Sequence, residues 1–185
     1  MSTVLITGPT AGIGKSLAVQ MAEKGYDLLL VARREHRLKE ISAEIKEKYN
    51  VKVDYFVADL KDKSAPQAIY NFTKSLNLDI STLMLNAGYQ INTKLEDASL
   101  DDEEDCLRVL GISVIMLTKL FLNNLKQRGG GHIMVVSSMA AFAPPSGEFA
   151  VLYGPVKTFM NRFVEALNGA YNKHNIFATS ACPGF

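Results

Sequence analysis

The feature that most constrains the fold is a repeated alternation of short apolar runs with segments of helical periodicity. Leu28-Leu29-Leu30-Val31 is apolar at four successive positions, which is typical of a strand buried on both faces of a sheet. The segment 35–49 instead places Leu38, Ile41 and Ile45 on one helical stripe. Strands that alternate with helices in this way predict an α/β fold built on a parallel sheet.

The alternation continues along the whole chain, without a repeat, a linker or a low-complexity segment. We therefore expect residues 1–185 to form a single domain. Predicted strands are 4–7, 27–32, 51–58, 82–85, 133–136 and 176–181, and predicted helices are 15–24, 35–49, 65–75, 99–126 and 153–173. The acidic run from Asp101 to Asp105 fits the first turns of the fourth helix, where carboxylates complement the helix dipole.

Composition excludes several classes of function. The net charge is +1 and the basic residues are scattered, so we expect neither nucleic acid nor a membrane surface as a partner. Cys106 and Cys182 fit no disulfide or metal pattern, and the three histidines show no ligand spacing, so no metal is predicted. No secretory signal and no membrane-spanning run is visible. A reducing, cytoplasmic location is the expectation.

A glycine-rich turn, Thr7-Gly-Pro-Thr-Ala-Gly-Ile-Gly14, lies between the first predicted strand and the first predicted helix. In that context glycines allow a pyrophosphate to approach the backbone, where free N–H groups and the helix dipole favour anions. The alternative is a tight turn that binds no ligand. Because the turn lies directly between the first predicted strand and the first predicted helix, we favour a dinucleotide site.

The end of the second strand discriminates between dinucleotides. An acidic residue there would bind the ribose hydroxyls of NAD, whereas this chain has Arg33 and Arg34. Two guanidinium groups are suited to pair with a 2′-phosphate, so NADP (NADPH) is the predicted cofactor. The alternative is a pair of solvated arginines opening a surface helix.

Tyr153 and Lys157 lie four residues apart, so a helix presents both side chains on one face. A cation beside a tyrosine favours the phenolate, which makes the phenol a usable proton donor near neutral pH. Two serines, Ser137 and Ser138, precede this pair. Alone, a tyrosine of this kind is more often a partly buried core residue; the glycine turn makes the catalytic interpretation stronger.

Together these residues resemble the short-chain dehydrogenase/reductase family, with the segment from Gly25 to Glu35 most similar to its general ketone and aldehyde reductases. The resemblance covers essentially the whole chain. It implies a doubly wound, Rossmann-like sheet of order 3-2-1-4-5-6, without the family's seventh strand. It implies Ser138, Tyr153 and Lys157 as catalytic residues. The implied cofactor-binding residues are Gly8, Thr10, Gly12, Ile13, Gly14, Arg33, Arg34, Asp59, Leu60, Asn86, Ala87, Gly88, Tyr153, Lys157, Pro183 and Gly184.

The resemblance also implies the reaction, a reversible hydride transfer between the nicotinamide and a small carbonyl or alcohol substrate. Tyr153 would protonate the forming alkoxide, Ser138 would orient the carbonyl oxygen, and Lys157 would bind the nicotinamide ribose. Pairing of copies through the fourth and fifth predicted helices is a further implication.

The chain also departs from the family pattern, and two of the departures, Leu110 and the end at Phe185, favour an alternative: a non-catalytic or degenerate dinucleotide-binding module. Leu110 stands where an asparagine usually supports a proton relay, and Val156 replaces a small polar residue before Lys157. Two extra residues separate Ser138 from Tyr153, and they fall in the loop 143–147. The chain ends at Phe185, before the family's substrate lid, which would leave the sixth strand at an exposed edge.

Overall fold

The computed structural model describes residues 2–144 and 150–184, which form a six-stranded parallel sheet with helices on both faces. The sheet order is β3-β2-β1-β4-β5-β6, and every neighbouring pair of strands is parallel. This confirms the predicted α/β fold and its doubly wound order. The strands are β1 (Thr3–Thr7), β2 (Asp27–Ala32), β3 (Val53–Val57), β4 (Ile80–Leu85), β5 (Gly131–Val136) and β6 (Ile176–Ala181).

The helices follow the strands in regular alternation. They are α1 (Gly12–Glu23), α2 (Glu35–Lys48), α3 (Ala65–Ser75), α4 (Leu100–Leu107), α5 (Ser113–Gln127) and α6 (Tyr153–Tyr171). Short 3₁₀ turns occupy Met139–Ala141 and Asn172–His174. Several boundaries differ from the prediction: α1 begins three residues earlier, inside the glycine turn, and β3 is shorter at both ends. Strand ends are set by pairing with neighbours, which the local sequence does not show.

The long helix predicted over 99–126 is present, but its hydrogen bonding is not regular throughout. A turn of π-helix, Arg108–Ile112, separates α4 from α5. Cys106, Leu110 and Val114, which lie before, within and after the π turn, are all buried. The helix start is as expected: the Ser99 hydroxyl accepts from the Asp102 backbone N–H at 3.0 Å, and acidic residues fill the first turn.

Two apolar layers enclose the sheet. Leu28 and Leu30 of β2 pack with α1 and α2 on one face, while Leu29 and Val31 pack on the opposite face with α3, α5 and α6. This alternation explains why the whole run is apolar, because each residue is buried on one side or the other. The sheet thereby holds the carboxyl ends of β1, β2 and β4 at one edge, where the strand order reverses and ligands of such folds bind.

Candidate functional site

The glycine turn after β1 forms the floor of a cavity. Gly8 and Gly12 adopt left-handed backbone conformations, with φ of +69° and +51°, which suits glycine. No atom lies within 4 Å of the position a Cβ would take at Gly12, so the space above the turn is open. Gly14 has a different role, because a Cβ there would lie 2.1 Å from the Gly8 carbonyl oxygen. Gly14 therefore allows α1 to pack closely beneath the turn.

The end of β4 clamps this turn. The Asn86 side-chain amide donates to the carbonyl oxygens of Thr7 and Gly8, both at 3.0 Å. The Thr7 hydroxyl oxygen in turn accepts from the backbone N–H groups of Asn86 at 3.0 Å and Ala87 at 3.1 Å. Thr7 was not predicted as a site residue. The sequence feature that could have identified Thr7 is a hydroxyl side chain at the end of a buried strand, next to the first glycine.

The cavity has a volume of about 400 Å³. It brings together most of the predicted cofactor residues: Gly8, Thr10, Gly12, Ile13, Arg33, Arg34, Asp59, Leu60, Asn86, Ala87 and Gly88. Sequence reasoning missed Ala11, Val31, Ala32, Ala58, Tyr89 and Val109, which also line it. Most of these are small or apolar residues beside the motifs, and no pattern in the sequence distinguishes them from core residues.

Two arginines stand at the cavity wall formed by the end of β2. The Arg34 guanidinium donates to the Thr10 hydroxyl at 2.9 Å, which links β2 to the glycine turn. Arg33 Nη1 lies 3.7 Å from Asp59 Oδ2, and both side chains are substantially exposed. An open glycine turn beside two cations fits a phosphorylated dinucleotide, since backbone and guanidinium donors both favour phosphate.

Lys157 is the buried cation of the site, with 5% of its surface exposed. Its Nζ donates to the Val136 carbonyl oxygen at 2.7 Å and lies 5.3 Å from the centre of the Tyr153 ring. Burial lowers the pKa of Lys157 from 10.5 to about 8, and the nearby Cys106 and Cys182 oppose that shift. The helical spacing of four residues therefore brings the tyrosine and the lysine together, as predicted.

The two serines after β5 are both buried but differ in their hydrogen bonds. Ser137 is 2% exposed, and its hydroxyl donates to the Lys157 carbonyl oxygen at 3.1 Å, which ties α6 to the sheet. The Ser138 hydroxyl oxygen accepts from the Ala140 backbone N–H at 3.1 Å, so its own hydrogen is available to a ligand. Of the pair, Ser138 is therefore the better candidate for contacting a substrate.

The cavity and the serine–tyrosine–lysine group adjoin at Gly88. A Cβ on Gly88 would lie 3.9 Å from Lys157 Nζ and 2.8 Å from a methyl group of Leu110. Leu110 belongs to the π turn and packs with Cys106 and Val156. Leu110 and the buried Lys157 ammonium thus both lie beside Gly88.

Six predicted site residues lie outside the cavity lining: Gly14, Ser138, Tyr153, Lys157, Pro183 and Gly184. The Pro183 carbonyl oxygen accepts from the Met139 backbone N–H at 2.9 Å, which places Pro183 beside Ser138. Pro145, Ser146 and Gly147 of the predicted loop, and Phe185, lie outside the described residues.

Comparison with known proteins identifies the family of this chain. Residues 2–185 match the family model described as short chain dehydrogenase. The chain belongs to the short-chain dehydrogenase family. A very-long-chain 3-oxoacyl-CoA reductase of Rattus norvegicus is 31% identical over 190 residues, covering 98% of this chain and 58% of that protein. The chain thus spans a little over half the length of this curated relative.

Two of the solved structures that are similar to this short-chain dehydrogenase contain NADPH. A short-chain dehydrogenase from Sphingobium yanoikuyae in complex with NADPH superposes with a TM-score of 0.92 at 27% identity, covering 100% of this chain and 71% of that one. L-Sorbose reductase from Gluconobacter frateurii, complexed with NADPH and L-sorbose, gives a TM-score of 0.88 at 27% identity, covering 95% and 66%. In the part of this chain that the structure describes, no helix is both long and apolar enough to cross a bilayer.

Proposed function

We propose that this short-chain dehydrogenase is an NADP(H)-dependent oxidoreductase that interconverts a small carbonyl compound and its alcohol, with Tyr153 as general acid and base. One observation carries the proposal: a buried ammonium lies 5.3 Å from the Tyr153 ring, and Gly88 joins this pair to the cavity. A buried cation with an altered pKa beside a tyrosine is the arrangement that proton-transfer chemistry requires.

The cavity residues would hold the dinucleotide. The glycine turn would bind the pyrophosphate, Arg33 and Arg34 the 2′-phosphate, and Asp59 the adenine amine. Pro183 and Gly184, beside Ser138, would contact the nicotinamide end. When bound, the cofactor supplies or accepts the hydride.

The side chains next to the cavity would orient the substrate oxygen and transfer the proton to it. Ser138 donates a hydrogen bond to the substrate oxygen and orients it. Tyr153 transfers its phenolic proton to that oxygen as negative charge develops there. Lys157 stabilises the phenolate that remains, because the two groups share a low-dielectric setting in which the charge–charge attraction is strong.

Cofactor choice is tested by titrating the protein with NADPH and with NADH. We expect NADPH to bind at least about tenfold more tightly, because two guanidinium groups face the 2′-phosphate. Arg33→Ala is expected to remove most of this preference. Arg37→Ala is the matched control, since Arg37 is an exposed arginine on α2 that pairs with Glu40. Equal affinity for the two dinucleotides would contradict the NADP assignment.

Catalysis is tested by NADPH oxidation with a panel of ketones and aldehydes, on these residues and on any longer protein that contains them. Tyr153→Phe removes the proton donor and is expected to lower kcat by about 100-fold or more. An unchanged kcat in Tyr153→Phe would exclude the proposed role of Tyr153.

A second candidate function is a non-catalytic dinucleotide-binding module, and Leu110 favours it. Leucine neither donates nor accepts a hydrogen bond, and it packs beside Gly88 and the buried cation. This alternative expects NADPH binding without turnover and no gain in Leu110→Asn. Turnover that is lost in Tyr153→Phe would decide against it.

Self-association belongs to the proposal as well. Exposed apolar side chains, Leu107, Met116 and Phe159, lie on α4, α5 and α6, the helices predicted to pair two copies. Sedimentation velocity at several protein concentrations tests this. The cytoplasmic location also stays a prediction, which rests on the two free cysteines.

A further inference from the structure

A polar cluster lies where α6 meets the end of β6, one helical turn after Lys157. Asn161 is buried, and its side-chain oxygen accepts a hydrogen bond from the Ser180 hydroxyl. The Cys182 thiol lies 3.7 Å from the same oxygen and donates weakly to it. The amide therefore connects the helix that carries Tyr153 and Lys157 to the segment that leads into Pro183.

The opposite side of this segment is tied to the serine loop. The Ser137 backbone N–H donates to the Ala181 carbonyl oxygen at 2.7 Å, and the Met139 N–H donates to the Pro183 carbonyl oxygen at 2.9 Å. Residues 180–183 are thus held between α6 and the loop that carries Ser138. Removal of the Asn161 amide would release one of these two attachments.

Packing alone does not account for Asn161. The neighbouring buried residues on this helix, Met160, Val164 and Leu167, are apolar and fill the core without a polar group. A buried amide is costly unless its hydrogen bonds are made. Its partners here are two side chains of the segment before Pro183, so the amide fixes the position of that segment.

Asn168 offers a direct comparison on the same helix. Its amide donates to the Ala178 carbonyl oxygen and accepts from the Ala178 N–H, both at 2.8 Å. This second contact also joins α6 to β6, but it lies in the body of the strand, away from Pro183. Asn168 therefore attaches α6 to the body of the sheet, whereas Asn161 attaches α6 to the segment at the site. Variants at the two positions can distinguish these roles.

We propose that Asn161 is a positioning residue, which holds the Cys182-Pro183-Gly184 turn against the helix of Tyr153 and Lys157 and so shapes the nicotinamide half of the cofactor site. This inference rests on the proposed function. It assigns to Asn161 no contact with the substrate or with the cofactor.

The test compares two ligands on the same protein. NADPH occupies both halves of the predicted site, whereas 2′,5′-ADP probes only the half with the glycine turn and the arginines. In Asn161→Leu we expect NADPH to bind about fivefold more weakly, the change that corresponds to about 1 kcal/mol of lost hydrogen bonding. The affinity for 2′,5′-ADP is expected to stay constant, which also shows that the variant is folded.

Two further variants sharpen the comparison. Asn161→Asp keeps an acceptor oxygen for Ser180 and is expected to restore most of the NADPH affinity. Asn168→Leu is the matched control, because it removes an asparagine contact between the same helix and strand. We expect it to lower the free energy of unfolding while the ratio of the two affinities stays at the wild-type value.

The outcomes are separable. An unchanged affinity ratio in Asn161→Leu, with 2′,5′-ADP still bound, would overturn the positioning role and leave the proposed function intact. The same shift of the ratio in Asn168→Leu would also overturn it, because a general loosening of the helix would then be the cause. Wild-type protein that binds neither ligand would overturn the proposed function and this inference with it.

Discussion

The packing of the site depends on single atoms, and Gly14 is the clearest example. A methyl group at Gly14 would lie 2.1 Å from the Gly8 carbonyl oxygen and 2.5 Å from the Asn86 amide nitrogen. Both atoms belong to the clamp between β1 and β4, so neither can move away freely. Gly169, in α6, is helical as well, but no atom lies within 4 Å of the position of its Cβ.

The substitution Gly14→Ala is therefore expected to lower the free energy of unfolding by about 3 kcal/mol, as forced overpacking does. Gly169→Ala is expected to raise it by about 0.5–1 kcal/mol, since alanine is the better helix former. Urea denaturation of both variants measures the difference. Similar values for the two variants would show that the close approach at Gly14 relaxes easily.

Lys157 gives stability a specific dependence on pH. Its pKa is lowered from 10.5 to about 8 in the folded protein, a difference that corresponds to about 3 kcal/mol. Between these two values the unfolded chain binds a proton that the folded protein does not bind. The free energy of unfolding therefore rises with pH in this window, and the gain is lost as the pH falls through 8.

Wild-type protein and Lys157→Met are compared by urea denaturation from pH 7 to pH 10.5. The other titrating groups are common to both proteins and cancel in the difference. We expect the wild-type value to increase relative to the variant by about 3 kcal/mol across the range. A constant difference would mean that burial does not disfavour the charged form of Lys157.

Sequence reasoning identified the candidate catalytic residues but not the residues that hold the site in place. Tyr153 and Lys157 are brought together because a spacing of four residues is a local property of a helix. Ser137 and Ser138 are chemically identical in the sequence, and only the sheet gives one of them the Lys157 carbonyl as a partner. Thr7 was missed because its partners lie 79 and 80 residues away.

At the level of elements, the site depends on how two strand ends are joined. The Thr7 hydroxyl oxygen accepts two backbone N–H groups at the end of β4, so one side chain from β1 fixes the start of the Asn86-Ala87-Gly88 segment. The register of β1 and β4, in which Thr7 lies opposite Leu85, makes this contact possible.

Thr7→Val keeps the shape of the side chain but leaves two partly buried backbone N–H donors, those of Asn86 and Ala87, without an acceptor. We expect a loss of about 2 kcal/mol in the free energy of unfolding and weaker NADPH binding. Thr118→Val is the control, because the buried Thr118 hydroxyl has no hydrogen-bond partner among the described residues. That substitution is expected to be neutral or mildly stabilising in the same denaturation measurement, and a loss as large as that of Thr7→Val would contradict the argument.

The π turn is the element that the sequence could not reveal. Periodicity reports the mean number of residues per turn, and a single wide turn within 99–126 changes that mean very little. The buried stripe continues across the interruption, so the apolar pattern also gives no sign of it. Leu110 itself was identified, but its place in an irregular turn next to Gly88 follows only from the structure.

At the scale of the whole molecule, periodicity predicts the class of fold but not the order of the strands. Apolar runs alternating with helices give a parallel sheet whatever its order. The reversal between β1 and β4 came from the family resemblance, because it depends on crossovers between distant segments. Since the cavity lies at this reversal, the position of the site depended on the same information.

The two apolar layers share a single sheet, so we expect them to unfold together. Residues such as Leu28 and Leu29 are adjacent in β2 but belong to opposite layers. Urea transitions followed by far-UV circular dichroism and by tyrosine fluorescence should coincide, as for one cooperative unit; the chain contains no tryptophan. Two separate transitions would contradict the single domain predicted for residues 1–185.

The exposed setting of Arg33 and Arg34 has a consequence for cofactor choice. Arg33 already lies near the Asp59 carboxylate, and more than half of its side chain is open to solvent. Mobile ions weaken attractions between exposed charges, and at 0.15 M salt the Debye length is only about 8 Å. The proposed preference for NADPH over NADH therefore depends on the medium as well as on the chain, and it should narrow as ionic strength rises.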